Sequence, residues 1–302
     1  MFKRSIFILS GIFFLLNHGN AQQRGVLALT GARYFNEGLS AKTIEIKVDG
    51  SFLLSNHVPL NKEVEIHLQL PTGFTEDRTK TMFAAAELNI ISQKGAVLSK
   101  IPNVFKDNEA KGFAPGSFKE LVVKVPLRAE VIKAEPGCTV MVRFYDLKGK
   151  SQLRVEFPVI ISKPGEALQL SKAINDIKTS VPAQAASVGI KMKNVLVTLD
   201  TSIRVNPKMA YASLDMSGIE GSTLGEVLGG KESFWVYDAD LNEIKMTDKQ
   251  LKQVKGAMED NMVDYLSKIP FRLKTIAGKT WYVRFRWESS DKRKVIDIVV
   301  TR

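Results

Sequence analysis

The chain has one cysteine, Cys138, in 302 residues. No disulfide can form within it, so the fold must rest on apolar cores. Cys138 follows a Pro136-Gly137 turn and reads as a small, half-buried strand residue rather than a reactive thiol. Histidine is nearly as scarce: His18 lies in the N-terminal leader, which leaves His57 and His67. Neither has a carboxylate cluster beside it in sequence, which makes a poor metal site. Both are expected on the surface, His67 on the outward phase of a strand. No Gly-x-Ser-x-Gly elbow, phosphate loop or His-Glu-x-x-His motif occurs. Triads assemble from distant positions, so a hydrolase built on scattered carboxylates stays as a remote alternative. Asp238-Ala239-Asp240-Leu241-Asn242-Glu243 begins like a calcium loop. It then places Glu243 where such a loop needs glycine and Lys249 where it needs its last carboxylate. That segment is expected to be a turn between strands. No cofactor or metal is expected.

Long apolar runs are also missing, except at the start. Lys3 and Arg4 precede an apolar run from Ile6 to Leu16. The run is too short for a membrane-spanning helix, which needs roughly 20 residues. Gly19-Asn20-Ala21 supplies small residues at the positions a signal peptidase reads. Residues 1–21 are therefore expected to be a signal peptide, and the mature chain to begin at Gln22 and to be periplasmic or extracellular. No cysteine adjoins the cleavage point to carry a lipid.

Acidic residues are outnumbered: 43 Lys and Arg face 32 Asp and Glu, a net charge of +11. The lysines are spread along the whole chain, as on solvated strand faces. The excess favours anionic partners, but no nucleic-acid recognition motif accompanies it.

What the sequence does contain is a duplication. Leu88–Leu98 aligns without gaps on Phe234–Ile244, and Val64, Ile66, Leu68 and Leu70 fall on Ala210, Ala212, Leu214 and Met216 at the same spacing. Lys124-Val125-Pro126-Leu127-Arg128 then matches Lys268-Ile269-Pro270-Phe271-Arg272, and Val142-Arg143-Phe144 matches Val283-Arg284-Phe285. A unit this long is a repeated domain rather than a solenoid repeat.

Within each unit, strand signals dominate. Thr43–Val48, Val64–Leu70, Leu153–Val159 and Ile296–Val300 alternate apolar and polar residues. Pro71-Thr72-Gly73, Lys148-Gly149-Lys150 and Ser289-Ser290-Asp291 punctuate them. The pattern predicts an all-β chain of two tandem antiparallel β-sandwiches. They resemble immunoglobulin-like or fibronectin-like domains in fold class, without the cysteine–tryptophan–cysteine core. The expected boundaries are 22–163 for domain 1, 164–189 for a helix-containing linker and 190–302 for domain 2. Helical spacing of Ala167, Leu168, Leu170, Ala173, Ile174 and Ile177 predicts a helix over 166–179. A second helix is expected from Thr247 to about Glu259, inserted in domain 2, with a strand from Met262. The matching insertion in domain 1, Val104 to Ser117, should be irregular with at most one helical turn.

The candidate site is aromatic. In Trp281–Trp287 one phase, Trp281, Val283, Phe285 and Trp287, matches core positions of the first copy. The other phase puts Tyr282, Arg284 and Arg286 on the outer face. By the same logic Trp235 and Tyr237 face outward from a neighbouring strand, with Val295 and Val299 beside them. Trp235, Tyr237, Tyr282, Arg284 and Arg286 thus form a candidate binding patch with the composition of an interface centre. The expected function is a non-enzymatic binding or assembly module of the cell envelope or extracellular space, with another protein as partner. Polysaccharide is the alternative, and cover by domain 1 or the linker helix would make the patch internal.

Overall fold

Period-two alternation becomes strand throughout. The structure, a computed structural model, describes residues 23–114, 118–132, 135–176, 183–200, 209–244, 253–259, 262–272 and 281–301. The first unit runs through β1 (Gln23–Val26), β2 (Arg33–Glu37), β3 (Thr43–Val48), β4 (Ser51–Leu53), β5 (His57–Val58) and β6 (Glu63–Gln69). It continues with β7 (Ala84–Ser92), β8 (Val97–Ile101), β9 (Glu120–Pro126), β10 (Gly137–Asp146), β11 (Gln152–Ile161) and β12 (Leu170–Ser171). The second comprises β13 (Asn175–Asp176), β14 (Ala183–Val188), β15 (Asn194–Asp200), β16 (Met209–Ile219) and β17 (Lys231–Tyr237). It ends with β18 (Glu243–Ile244), β19 (Gln253–Glu259), β20 (Met262–Arg272), β21 (Tyr282–Glu288) and β22 (Val295–Thr301).

These strands make two antiparallel sandwiches. The first pairs a sheet of order β1-β2-β11-β10-β7-β8, with β5 added in parallel to β11, with a sheet of order β12-β4-β3-β6-β9. The second pairs β13-β14-β22-β21-β17-β18 with β15-β16-β20-β19. One sheet therefore repeats strand for strand: β1, β2, β11, β10, β7 and β8 correspond to β13, β14, β22, β21, β17 and β18. In the other, β3, β6 and β9 correspond to β15, β16 and β20. Each sandwich buries its own core: Ile66, Val123, Val142, Phe144 and Phe157 in the first, Met216, Val263, Phe285, Trp287 and Ile298 in the second.

The pairing corrects the register of the repeat. Val142 pairs with Leu88, and its counterpart Val283 pairs with Val236, not Phe234. Val125 pairs with Val64, and its counterpart Ile269 pairs with Ala212, not Ala210. Both corrections are slips of two residues. A slip of two leaves every side chain on its face, so apolar phase alone could not detect it.

Both expected helices are corrected. Across 164–176 the chain is turn and extended, contributing β12 to the first sandwich and β13 to the second, while 177–182 lie outside the described residues. The small-residue segment read as linker is β14, paired along its length with β22. Its alanines and serine suit a strand pressed between that sandwich and its neighbour; Ala185, Ala186 and Ser187 are all buried. The helix expected from Thr247 is β19 over its described part, and 245–252 lie outside the described residues. Among the described residues the helix of domain 2 is instead α2 (Leu224–Gly229), which follows α1 (Ala129–Ile132) of domain 1. Gly256 explains the exchange. A Cβ there would lie 2.8 Å from Leu224 Cδ1, so α2 packs directly over the strand at its glycine. Thr223 Oγ1 caps α2 by accepting from the Glu226 amide at 3.2 Å. The strand beginning at Met262 and the single 3-10 turn at Lys106–Asn108 in the domain 1 insertion stand as read. None of the described helices is long and apolar enough to cross a membrane.

Candidate functional site

Strand β21 is buried on both faces. Val283, Phe285 and Trp287 enter the domain 2 core, and Trp287 Nε1 donates to the Val227 carbonyl of α2 at 2.9 Å. Tyr282, Arg284 and Arg286 take the opposite face, as alternation requires. Cross-strand pairs bring the rest of the expected site to them. Trp235 sits opposite Arg284, with the guanidinium carbon 4.6 Å from the ring centroid, and Tyr237 sits opposite Tyr282. All five expected residues thus share one face.

That face is not open. The turn between β1 and β2 lies on it, so the exposed patch is corrected to a domain junction. Val26 packs with Tyr237, Leu241, Tyr282 and Val299. Leu29 and Leu54 pack with Ala186 and Val295. Four of the five expected residues are buried: Tyr237, Tyr282, Arg284 and Arg286, while Trp235 is half-buried. The physical reason is area: aromatic and valine surface on a sheet face gains most by leaving water, and domain 1 supplies an apolar turn to cover it.

Two buried arginines then need partners. Asp297, fully buried on β22 opposite Arg286, serves both: Arg284 Nη2 donates to it at 2.7 Å and Arg286 Nη1 lies 3.4 Å away. Arg286 Nε and Nη2 donate to Glu288 at 3.2 Å, and further bonds reach into domain 1. Arg284 Nη2 donates to the Leu29 carbonyl at 2.7 Å, and Arg286 Nη1 donates to the carbonyls of Leu29 at 3.1 Å and Leu54 at 2.6 Å. Burial works against the charge on Arg284, but the Asp297 carboxylate outweighs it and raises the guanidinium pKa. Burial also raises the phenols of Tyr237 and Tyr282. The receiving turn is held in an uncommon backbone: Leu29 has φ +70° and Gly31 φ +70°. A Cβ on Gly31 would come within 2.1 Å of Arg284 Nη1, so only glycine fits. Arg24 to Asp240 at 2.8 Å, Arg33 to the Leu241 carbonyl at 3.1 Å and Tyr282 to the Arg24 carbonyl at 2.9 Å are among the further ties.

No family model matches the chain, and comparison with curated proteins finds no match. The function must be read from the site itself.

Beside the clasp the two domains leave a cleft of about 560 Å³. Its domain 2 side is Lys231, Ser233, Trp235 and Tyr237 of β17 with Arg284 and Arg286 of β21. Its domain 1 side includes Asn56, Gln93 and Thr139. Domain interfaces are a preferred place for such clefts, and the volume suits a small ligand. Of the five expected residues, Tyr282 alone does not line it.

The other candidates resolve locally. Cys138 is buried at the cleft wall, and burial pushes its thiol up to about 11, unsuited to a nucleophile. His67 faces outward but is buried, a correction to the exposed histidine: its Nδ1 lies 2.6 Å from Glu120 and its Nε2 3.2 Å from Glu65. Glu65 is two residues away on the same strand, Glu120 comes from the adjacent strand β9, and the bond with His67 lowers the Glu120 pKa. Each contacts a different ring nitrogen, and among the described residues no His, Cys, Asp and Glu group could hold a metal. Asp238 closes the turn read as a failed calcium loop by accepting from the amides of Asp240 and Asn242, both at 2.9 Å.

Sequence reading missed Asp297 and the Leu27–Gly31 turn. Asp297 had a signal: it is the acid between Val295 and Val299 on the outward phase, beside a strand carrying two outward arginines. The turn had none, since its contribution is mainly backbone carbonyls.

Proposed function

We propose that the chain is an exported, non-enzymatic binding or assembly module of the cell envelope or extracellular space, and that it engages its ligand in the interdomain cleft. The leader-like N-terminus supports export. The observation that carries the binding role is that Trp235, Tyr237, Arg284 and Arg286 line one cleft beside a rigidly tied domain junction. A rigid, preformed site loses little entropy on binding. A partner protein docking flat on the domain 2 face would need about 800 Å² on its side, and the turn from domain 1 already occupies much of that face. The cleft instead favours a narrow ligand, a polymer chain or an extended segment of an envelope component.

Immobilised mature protein should retain material from an envelope extract, and Ser233→Trp, which fills the cleft from β17, should abolish retention while the thermal melt stays unchanged. Retention that survives the plug would locate binding elsewhere. Exported protein should begin at Gln22 on N-terminal sequencing, and a Met1 start in a membrane pellet would overturn the export reading.

A further inference from the structure

Most of the charges lining the cleft face an opposite charge, Glu243 at its edge standing apart. Arg284 and Arg286 answer Asp297, and Arg286 also meets Glu288 at 3.2 Å. His57 lies 3.2 Å from Glu166, and Lys292 acts on the same carboxylate. Lys231 sits across the β17–β21 pair from Glu288. A strongly charged ligand would have to compete with these pairs in a partly desolvated site, which is costly.

What the cleft offers is uncharged. Trp235 presents an indole with Arg284 against it, and Asn56, Gln93, Thr139 and Ser233 supply amides and hydroxyls to the walls of the same cleft. An aromatic plate in a cleft that also carries neutral donors and acceptors matches a pyranose. The axial C–H groups of the sugar are electropositive and lie on the negative face of the ring, while its hydroxyls each give and take a hydrogen bond. Arg284 beneath the indole keeps the ring in place for stacking. We propose, building on the binding reading above, that the cleft takes an uncharged saccharide chain stacked on Trp235.

The test titrates the full mature protein with short, soluble neutral oligosaccharides, with uronate oligosaccharides and hexapeptides for comparison, by calorimetry and tryptophan fluorescence. A neutral saccharide should bind and shift the emission. Trp235→Ala should weaken it by about tenfold or more, the usual loss for an aromatic anchor. The emission response should vanish with it, because Trp281 and Trp287 are buried in the core. Thr139→Trp fills the cleft from domain 1 without touching β17. It should block binding equally, which guards against a folding defect in the first variant. Saccharide affinity unchanged in both variants overturns the proposal. So does preference for uronates or peptides, or no binding by any neutral saccharide while extract is still retained in a Ser233-dependent way. In those last cases the binding reading survives and only the ligand class falls. Failure of every probe together with loss of extract retention would end both.

Discussion

The two sandwiches carry the same sheet with opposite outer faces. With the pairing register applied, Glu87, Asn89, Arg143, Tyr145 and Gln152 of domain 1 stand where domain 2 has Trp235, Tyr237, Arg284, Arg286 and Asp297. In domain 1 the face is a charge ladder. Glu87 accepts from Asn89 at 3.1 Å and pairs with Arg143 and, at 3.1 Å, with Lys100. Arg154 stacks on Phe35 and pairs with Glu156 at 3.0 Å. Arg143 keeps 41% of its side chain exposed, while Arg284 keeps 7%. The difference teaches how one position changes its energetic meaning. An exposed ion pair contributes about 0–1 kcal/mol, whereas removing one member of a buried pair costs about 3–5 kcal/mol.

The comparison breaks most directly at the acid. Asp297→Ala should destabilise the protein by about 3–5 kcal/mol, since it leaves the buried Arg284 without a countercharge and Arg286 with Glu288 alone. Gln152→Ala, at the equivalent place, should stay within about 0.5 kcal/mol. Equal midpoint shifts in denaturant melts would mean that the buried clasp contributes nothing. Arg286, expected from sequence on an open outer face where its loss would cost folding little, belongs with Asp297 and not with Tyr145.

The shared interior makes the control. Phe285→Ala and Phe144→Ala should each cost about 3–5 kcal/mol, because both phenylalanines are core residues of matching strands. A large disparity would show that the two cores are not energetically equivalent.

A subtler contrast is titratable. Glu232 points inward on β17 where domain 1 has the buried Ala84, and burial pushes its carboxyl up to about 7. Between about 4.5 and 7 the folded chain holds a proton that the unfolded chain has released. Its contribution to stability therefore falls as pH rises through that window. Glu87 on domain 1 runs the other way. The hydrogen bond from Asn89, with Arg143 and Lys100, holds its carboxyl down to about 2, so its stabilisation is present above about 4.5 and lost as pH falls towards 2. Melts across pH should lose the first slope in Glu232→Gln and the second in Glu87→Gln. Unchanged slopes would assign the pH dependence to other groups. The smallest effect is expected for Arg143→Ala, within about 1 kcal/mol, as for an exposed pair; a cost approaching that of Asp297→Ala would erase the contrast.

Much of the fold was legible because alternation and duplication are long-range signals that reinforce each other. Phe144 and Phe285 could be matched before either was seen in a core. What failed were the places where one face of an element is covered by something distant. Ala183–Val188 reads as linker because small residues carry little hydrophobic signal, yet smallness is what a strand between two packed layers needs. Gln253–Glu259 reads as helix because Leu251, Val254 and Met258 fall at helical spacing, while Gly256 needs strand geometry only because α2 lies on it. The helix itself carried the local signature Thr223-x-x-Glu226 followed by Gly229-Gly230, and that could have been read. The site face was legible as a set of residues and illegible as a surface, since nothing in Trp235 or Arg284 says that a turn some two hundred residues earlier covers them.

That turn meets the arginines with the carbonyl of Leu29, and the chain just after β4 adds the carbonyl of Leu54. Every residue type has a carbonyl. The hydrogen bonds therefore follow the path of the backbone and ignore the letters that trace it, save at Gly31, where any added carbon strikes Arg284. The junction is consequently lopsided in what it lets drift accumulate. Domain 2 must keep Arg284, Arg286 and Asp297 together, since Asp297 is the carboxylate that both arginines share. To meet those two arginines, domain 1 need only keep its curve and one glycine. Sequences descended from this chain should preserve the junction's geometry long after the covering turn has ceased to look alike.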